Sequence, residues 1–138
     1  MRFHKGRLID HVHLRVRDLG ASLRFYRAVL QALGFTEIRE GPGWFSADEL
    51  WIDAAGHGAA PSRVHLAFQA ETRAAVAAFH AAGLAAGGRD NGGPGERAYH
   101  PGYYAAYLLD PDGNNLEAVH HGPVRRSAAS VVLTPDAG

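Results

Sequence analysis

A repeat constrains this chain more than any other feature. Residues 8–16, Leu-Ile-Asp-His-Val-His-Leu-Arg-Val, alternate strictly: Val12, Leu14 and Val16 fall on one side, and His11, His13 and Arg15 on the other. That is the period-two signature of a half-buried strand, with a polar face that needs an explanation. The pattern restarts at Val64, Leu66 and Phe68, with His65 and Gln69 on the opposite side. His11 and His65 stand 54 residues apart, as do Leu14 and Phe68, and Phe25 and Phe79. One offset brings histidine onto histidine in the strand and aromatic onto aromatic in the segment that follows. A duplicated unit explains both.

Each unit continues in the same way. Asp18 stands where a helix N-cap belongs, and Leu19, Leu23, Tyr26, Leu30 and Leu33 follow at helical spacing until Gly34. Residues 35–40, 43–47 and 49–54 read as three short strands, and residues 56–61 as a linker. In the second unit, residues 71–82 form an Ala-rich helix that Gly83 ends. Residues 88–102 read as a long loop or irregular edge strand. Tyr103–Leu109, a turn at Asp110-Pro111-Asp112-Gly113 and a strand at about 115–120 complete the unit. The expected fold is α+β: two tandem βαβββ modules, 7–55 and 62–121, forming a curved mixed sheet around an open cleft, with a C-terminal tail over 122–138.

With 138 residues the chain is long enough to bury a core without disulfides. It has no cysteine, which excludes a disulfide framework and thiolate catalysis. Lys plus Arg number 14, as do Asp plus Glu, so no basic excess points to nucleic acid or an anionic membrane. Residues 1–6 contain no apolar leader core and no later run approaches ~20 apolar residues, so a cytoplasmic protein is expected. His4, His57 and His80 read as surface residues.

The polar faces carry the chemistry. The first strands of two related modules lie near the pseudo-twofold axis, so His11 and His65 are expected to point into one shared cleft. Glu117 sits inside Leu116-Glu117-Ala118-Val119, where a lone carboxylate is costly unless paired or metal-bound. Two imidazoles and a carboxylate make a facial triad with open positions, suited to Fe(II), Mn, Ni, Co or Zn. Taken singly, each of these residues is more often structural; the matched histidines favour a site. The segment 88–104 gathers Arg97, His100, Tyr103 and Tyr104 in glycine-rich backbone. Arg97, Tyr103 and Tyr104 are candidate substrate contacts. His13, on the face of His11, and His100 are candidate acid–base groups.

These residues resemble the vicinal oxygen chelate superfamily, which includes glyoxalase I, extradiol dioxygenases and the bleomycin resistance proteins. The resemblance covers residues 8–121. It rests on Ile9–Asp18, on Ser22-Leu23-Arg24-Phe25-Tyr26, on Leu33-Gly34-Phe35 and on His65-Leu66-Ala67-Phe68. Its most specific part is Asp110-Pro111-Asp112-Gly113-Asn114-Asn115-Leu116-Glu117. It implies that His11, His65 and Glu117 hold a divalent metal on which a small substrate chelates through two neighbouring oxygens, with Glu117 also a candidate base. The family's fourth ligand position falls on Trp51, which is assigned with Arg15 to substrate contact. The implied activity is that of a lyase, isomerase or dioxygenase. The alternative is a non-catalytic protein that sequesters a ligand, as bleomycin resistance proteins do. A homodimer is implied, sometimes with exchanged modules so that a cleft is built from two chains.

Overall fold

Leu14 and Val16 are fully buried while His13 and Arg15 are exposed, as the alternation in β1 (Val12–Val16) requires. The computed structural model describes residues 6–136; His4 and the last two residues of the tail lie outside them. The side chain of Asp18 accepts from the backbone N–H of Ala21 over 3.0 Å and so caps α1 (Leu19–Ala32). Gly34 then takes φ +93°, a left-handed conformation that suits glycine at a helix exit, and Phe35 donates back to Leu30. The chain continues through β2 (Arg39–Gly41), β3 (Trp44–Ala47) and β4 (Leu50–Ala54). Strand β4 runs parallel to β1, giving a mixed sheet in the order β1-β4-β3-β2.

The second half repeats this plan. It contains β5 (His65–Gln69), α2 (Arg73–Ala85), β6 (Arg89–Glu96), β7 (Tyr104–Leu109) and β8 (Asn115–His120), with sheet order β5-β8-β7-β6. The chain is therefore two tandem βαβββ units with two open four-stranded mixed sheets.

Of the two forms expected for the glycine-rich stretch, the structure shows the irregular edge strand: β6 has register shifts between Asp90 and Gly92 and between Gly92 and Gly95. Two details differ from the sequence expectation. Residues 35–38 stay outside the ladder, and β2 spans three residues only. Gly83 does not end α2 but lies within it. A Cβ at Gly83 would stand 2.2 Å from Leu108 Cδ1 and 3.1 Å from Val29 Cγ1, so the glycine serves close packing of α2 on β7 and α1.

Both sheets and both helices share one core, which includes Leu14, Phe25, Tyr26, Ile52, Phe79, Leu108 and Leu116. The polar face of each sheet therefore points away from that core. A buried polar clasp joins the units. The Tyr26 hydroxyl donates to Asp110 Oδ2 over 2.6 Å, and Asp110 also accepts from the backbone of Asp112 and Asn114. Arg17 N–H donates to Asp112 Oδ1, tying the end of β1 to the same turn. Among the described residues no helix is long and apolar enough to cross a membrane.

Candidate metal and substrate site

His65 opens β5, and Glu117 lies on the neighbouring parallel strand β8, where it pairs with Ala67. This register brings His65 Nε2 to 2.9 Å from Glu117 Oε1. A carboxylate oxygen accepts, so Nε2 carries the proton of this bond. Glu117 is only 2 % exposed and would be costly to bury bare. Its second oxygen accepts from the Tyr103 hydroxyl. Both carboxylate oxygens are therefore satisfied within the second sheet.

Aromatic residues enclose this carboxylate. Tyr107 is the β7 partner of Glu117, and its ring lies 6.2 Å from that of His65. Burial first, and then the Glu117 charge, pushes the Tyr107 hydroxyl up to about 12. The same two causes, with the hydrogen bond to Glu117, raise Tyr103 further. The Arg97 guanidinium lies 5.3 Å from the centre of the Tyr107 ring, and its Nη2 donates to the Gly93 carbonyl. His100 packs edge-on to Tyr103 and has its Nε2 2.8 Å from His121 Nδ1. Because Pro101 O can only accept, His100 Nδ1 carries a proton and donates to it. Tyr104 lies on the other face of β7, packed against the core under the Arg73 guanidinium at 4.7 Å.

The first sheet presents a second polar face. His13 pairs with Trp51 across β1 and β4, and Arg15 with Asp53. His13 Nε2 donates to Asp53 Oδ1 over 2.7 Å, and His11 Nδ1 to Asp10 Oδ1 over 2.7 Å. Trp51 stacks on Trp44 with ring centres 4.3 Å apart and planes 17° from parallel. A recess of about 430 Å³ lies here, lined by His11, His13, Ser46, Asp48, Glu49, Leu50 and Trp51. Trp51 is the counterpart of Glu117: each stands on its module's last strand opposite the residue two places past the module's histidine, His13 or Ala67.

The structure thus brings His65, Glu117, Tyr103 and Arg97 to one sheet, with His100 behind Tyr103. It brings His11, His13, Arg15 and Trp51 to the other. The shared cleft expected of His11 and His65 is not formed within one chain, because the apolar faces of both sheets turn inward on the same helices. Among the described residues no three His, Cys, Asp or Glu side chains group closely enough to hold a metal. A single chain therefore fits a metal only in part, with His65 and Glu117. Sequence reasoning missed Trp44, Tyr107 and Asp10. For Trp44 a signal existed: the turn at Asp48-Glu49 folds 44–47 back onto 50–53 and sets the two tryptophans on one face.

A family model for the glyoxalase/bleomycin resistance protein/dioxygenase superfamily matches residues 8–118. A glyoxalase/bleomycin resistance protein from Albidiferax ferrireducens is 33% identical over 82% of this chain and 98% of its own, with a TM-score of 0.71. A glyoxalase/bleomycin resistance protein/dioxygenase family enzyme from Burkholderia phytofirmans is 25% identical over 81% and 97%, with a TM-score of 0.64. A glyoxalase I variant from Zea mays is 26% identical over 80% of this chain but 45% of its own, with a TM-score of 0.56. No curated protein matches the chain by sequence.

Proposed function

Because the chain belongs to the glyoxalase/bleomycin resistance protein/dioxygenase superfamily, we propose that it is a metal-dependent enzyme acting on a small oxygenated substrate as a lyase, isomerase or dioxygenase. The observation that carries this reading is the buried Glu117 carboxylate facing His65 Nε2 at 2.9 Å. A buried carboxylate paired with an exposed imidazole on an open face is a half-built metal site. The third donor, His11, lies on the polar face of the other sheet. It completes the site when a second copy of the chain lays that face over His65 and Glu117. The proposed assembly is a homodimer with two such composite sites.

A divalent ion held there (Fe(II), Mn, Ni, Co or Zn) supplies Lewis-acid polarisation of substrate oxygens. The side chains have their own tasks. To serve as a ligand through Nε2, His65 would carry its proton on Nδ1 instead, exchanging the hydrogen bond to Glu117 for the metal. Tyr103 donates to the far oxygen of Glu117 and fixes its orientation. His13, oriented by Asp53, is the acid–base candidate on the facing sheet, with Glu117 and His100 as the others. Arg97 and Tyr103 flank the substrate from the second sheet, Arg15 and Trp51 from the first. Tyr104, on the core face, supports β7 instead.

The test is metal content. Wild-type protein purified without chelator is expected to hold about one ion per chain, and His65→Ala and Glu117→Ala to hold little. Metal-free wild type after incubation with all five ions overturns the proposal. A second reading, ligand sequestration without turnover, is favoured by Trp51, an aromatic standing where a fourth donor would be. Retained ligand binding with no metal and no turnover selects it.

A further inference from the structure

His121 is the first residue beyond β8, and its Nδ1 lies 2.8 Å from Nε2 of His100, in the hairpin that joins β6 to β7. The ring planes are 19° apart and the ring centres 5.1 Å. Face-to-face stacking brings centres closer, as at Trp44 and Trp51 with 4.3 Å. The centres of the two imidazoles are as far apart as their short N–N contact permits, so the rings meet head to head. Tyr103 stands across the joint, its ring centre 5.3 Å from each, at 78° to His100 and 85° to His121. Beside the pair the backbones touch. A Cβ on Gly102 would stand 3.3 Å from Gly122 Cα, and these glycines take φ +86° and +85°. Two residues without side chains therefore let the histidines approach.

We propose that His100 and His121 form a proton-operated latch that holds the hairpin 97–103, and with it Arg97 and Tyr103, against the end of β8. The reason is a count of protons. His100 Nδ1 donates to the Pro101 carbonyl and so keeps its proton. One proton then fits between His100 Nε2 and the facing Nδ1 of His121. With one ring charged the bond persists, as an imidazolium donating to a neutral imidazole. With both charged, two N–H groups and two like charges face each other, and the latch opens. Acid therefore favours the open state, and the latch is closed above the range in which imidazoles titrate. Tyr103 touches both rings; Tyr99 packs on Tyr103, Glu117 accepts from the Tyr103 hydroxyl, and His120 turns to the Ala70 carbonyl. While the latch is closed both nitrogens of His100 are engaged, so His100 is free for acid–base work only once it opens.

Arg97 and Tyr103 are substrate contacts only under the function proposed above, so the effect on substrate rests on that reading. The latch itself needs neither metal nor substrate and is tested without them. Chelator-treated full-length protein is compared at pH about 8 and about 5, on either side of imidazole titration. Amide hydrogen exchange, corrected for the intrinsic effect of pH, reads the Arg97 and Tyr103 N–H groups, which close the hairpin by bonding Tyr103 O and His100 O. Their exchange is expected to be about tenfold faster at the lower pH, while the core amide of Leu108 keeps its protection. In His121→Gln the amide can donate to neutral His100 or accept from charged His100, so this variant is expected to stay closed at both pH values. His121→Ala is expected to be open at both. Ring-nitrogen NMR shifts of the wild type, which need no variant, are expected to show His100 protonated on Nδ1 alone at the higher pH. A proton on its Nε2 instead, equal protection of the hairpin at both pH values, a wild-type response in His121→Gln, or wild-type protection in folded His121→Ala overturns the latch. Metal content is measured on the same wild-type sample before chelation. Normal metal without a pH-dependent hairpin defeats the latch alone, and a working latch without metal defeats the metal reading alone.

Discussion

The Tyr26 hydroxyl, on α1, donates to Asp110 Oδ2 over 2.6 Å, so the helix of the first module and the last turn of the second share one buried carboxylate. Asn114 Nδ2 donates to the same oxygen over 2.9 Å. Tyr26→Phe therefore removes one of two donors and leaves the oxygen partly satisfied. The expected loss of stability is about 1–2 kcal/mol, read by urea unfolding.

The same bond makes stability fall in alkali. Burial, and then the Asp110 charge, raises Tyr26 well above its ordinary 10.0. Folded protein holds this proton more tightly than unfolded chain does. The contribution is thus complete below pH 10 and is lost as the pH rises from there toward the folded value. Unfolding free energy measured across that window is expected to fall less steeply in Tyr26→Phe than in wild type. Parallel slopes would refute this account.

Glu117 should be visible through its tyrosines. Tyr107 titrates near 12, with burial the larger cause and the Glu117 charge the next. Replacing Glu117 by Gln removes the second cause and leaves the first. Tyrosinate absorbance followed against pH is expected to shift part of the way back toward 10 in Glu117→Gln. A curve superimposable on wild type would mean that the carboxylate does not act on these hydroxyls.

A site shared between copies predicts complementation. His11→Ala and His65→Ala are each expected to be metal-poor alone. When the two are mixed and allowed to exchange subunits, heterodimers have one composite site with every donor intact. About a quarter of all sites should then regain metal. No recovery on mixing, with subunit exchange verified, would refute a site shared between copies.

Gly83→Ala tests the close approach of α2 and β7. Alanine is the better helix former by about 1 kcal/mol. The added methyl, however, meets Leu108 at 2.2 Å, and overpacking costs about 1–3 kcal/mol. The net expectation is a lower thermal midpoint, and a rise would show that Leu108 yields freely.

What the sequence disclosed was local. The alternation in β1, the cap at Asp18 and the exit at Gly34 depend on neighbours a few residues away, and all are present in the structure. Gly83 was ambiguous, because a glycine offers both conformational freedom and absence of bulk. Which of the two matters is decided by Leu108, 25 residues on. Tyr103 and Tyr104 are adjacent and turn to opposite faces, so their roles depend on where the β7 ladder begins. The pairing of His65 with Glu117 follows from strand register. The separation of His11 from them follows from how α1 and α2 pack, which no local pattern encodes.

The bulged strand β6 bears on how copies of this chain avoid one another. It forms the outer rim of its sheet, where a straight strand would invite an incoming strand to extend the ladder. Pro94 lacks an N–H, two register shifts break the rhythm of donors and acceptors, and Arg89, Asp90 and Glu96 add charge. At the far end of the first sheet β2 is only three residues long, and Ser62 hydrogen-bonds along the outer side of β1 at Arg15. These rims resist runaway polymerisation by edge-to-edge strand pairing.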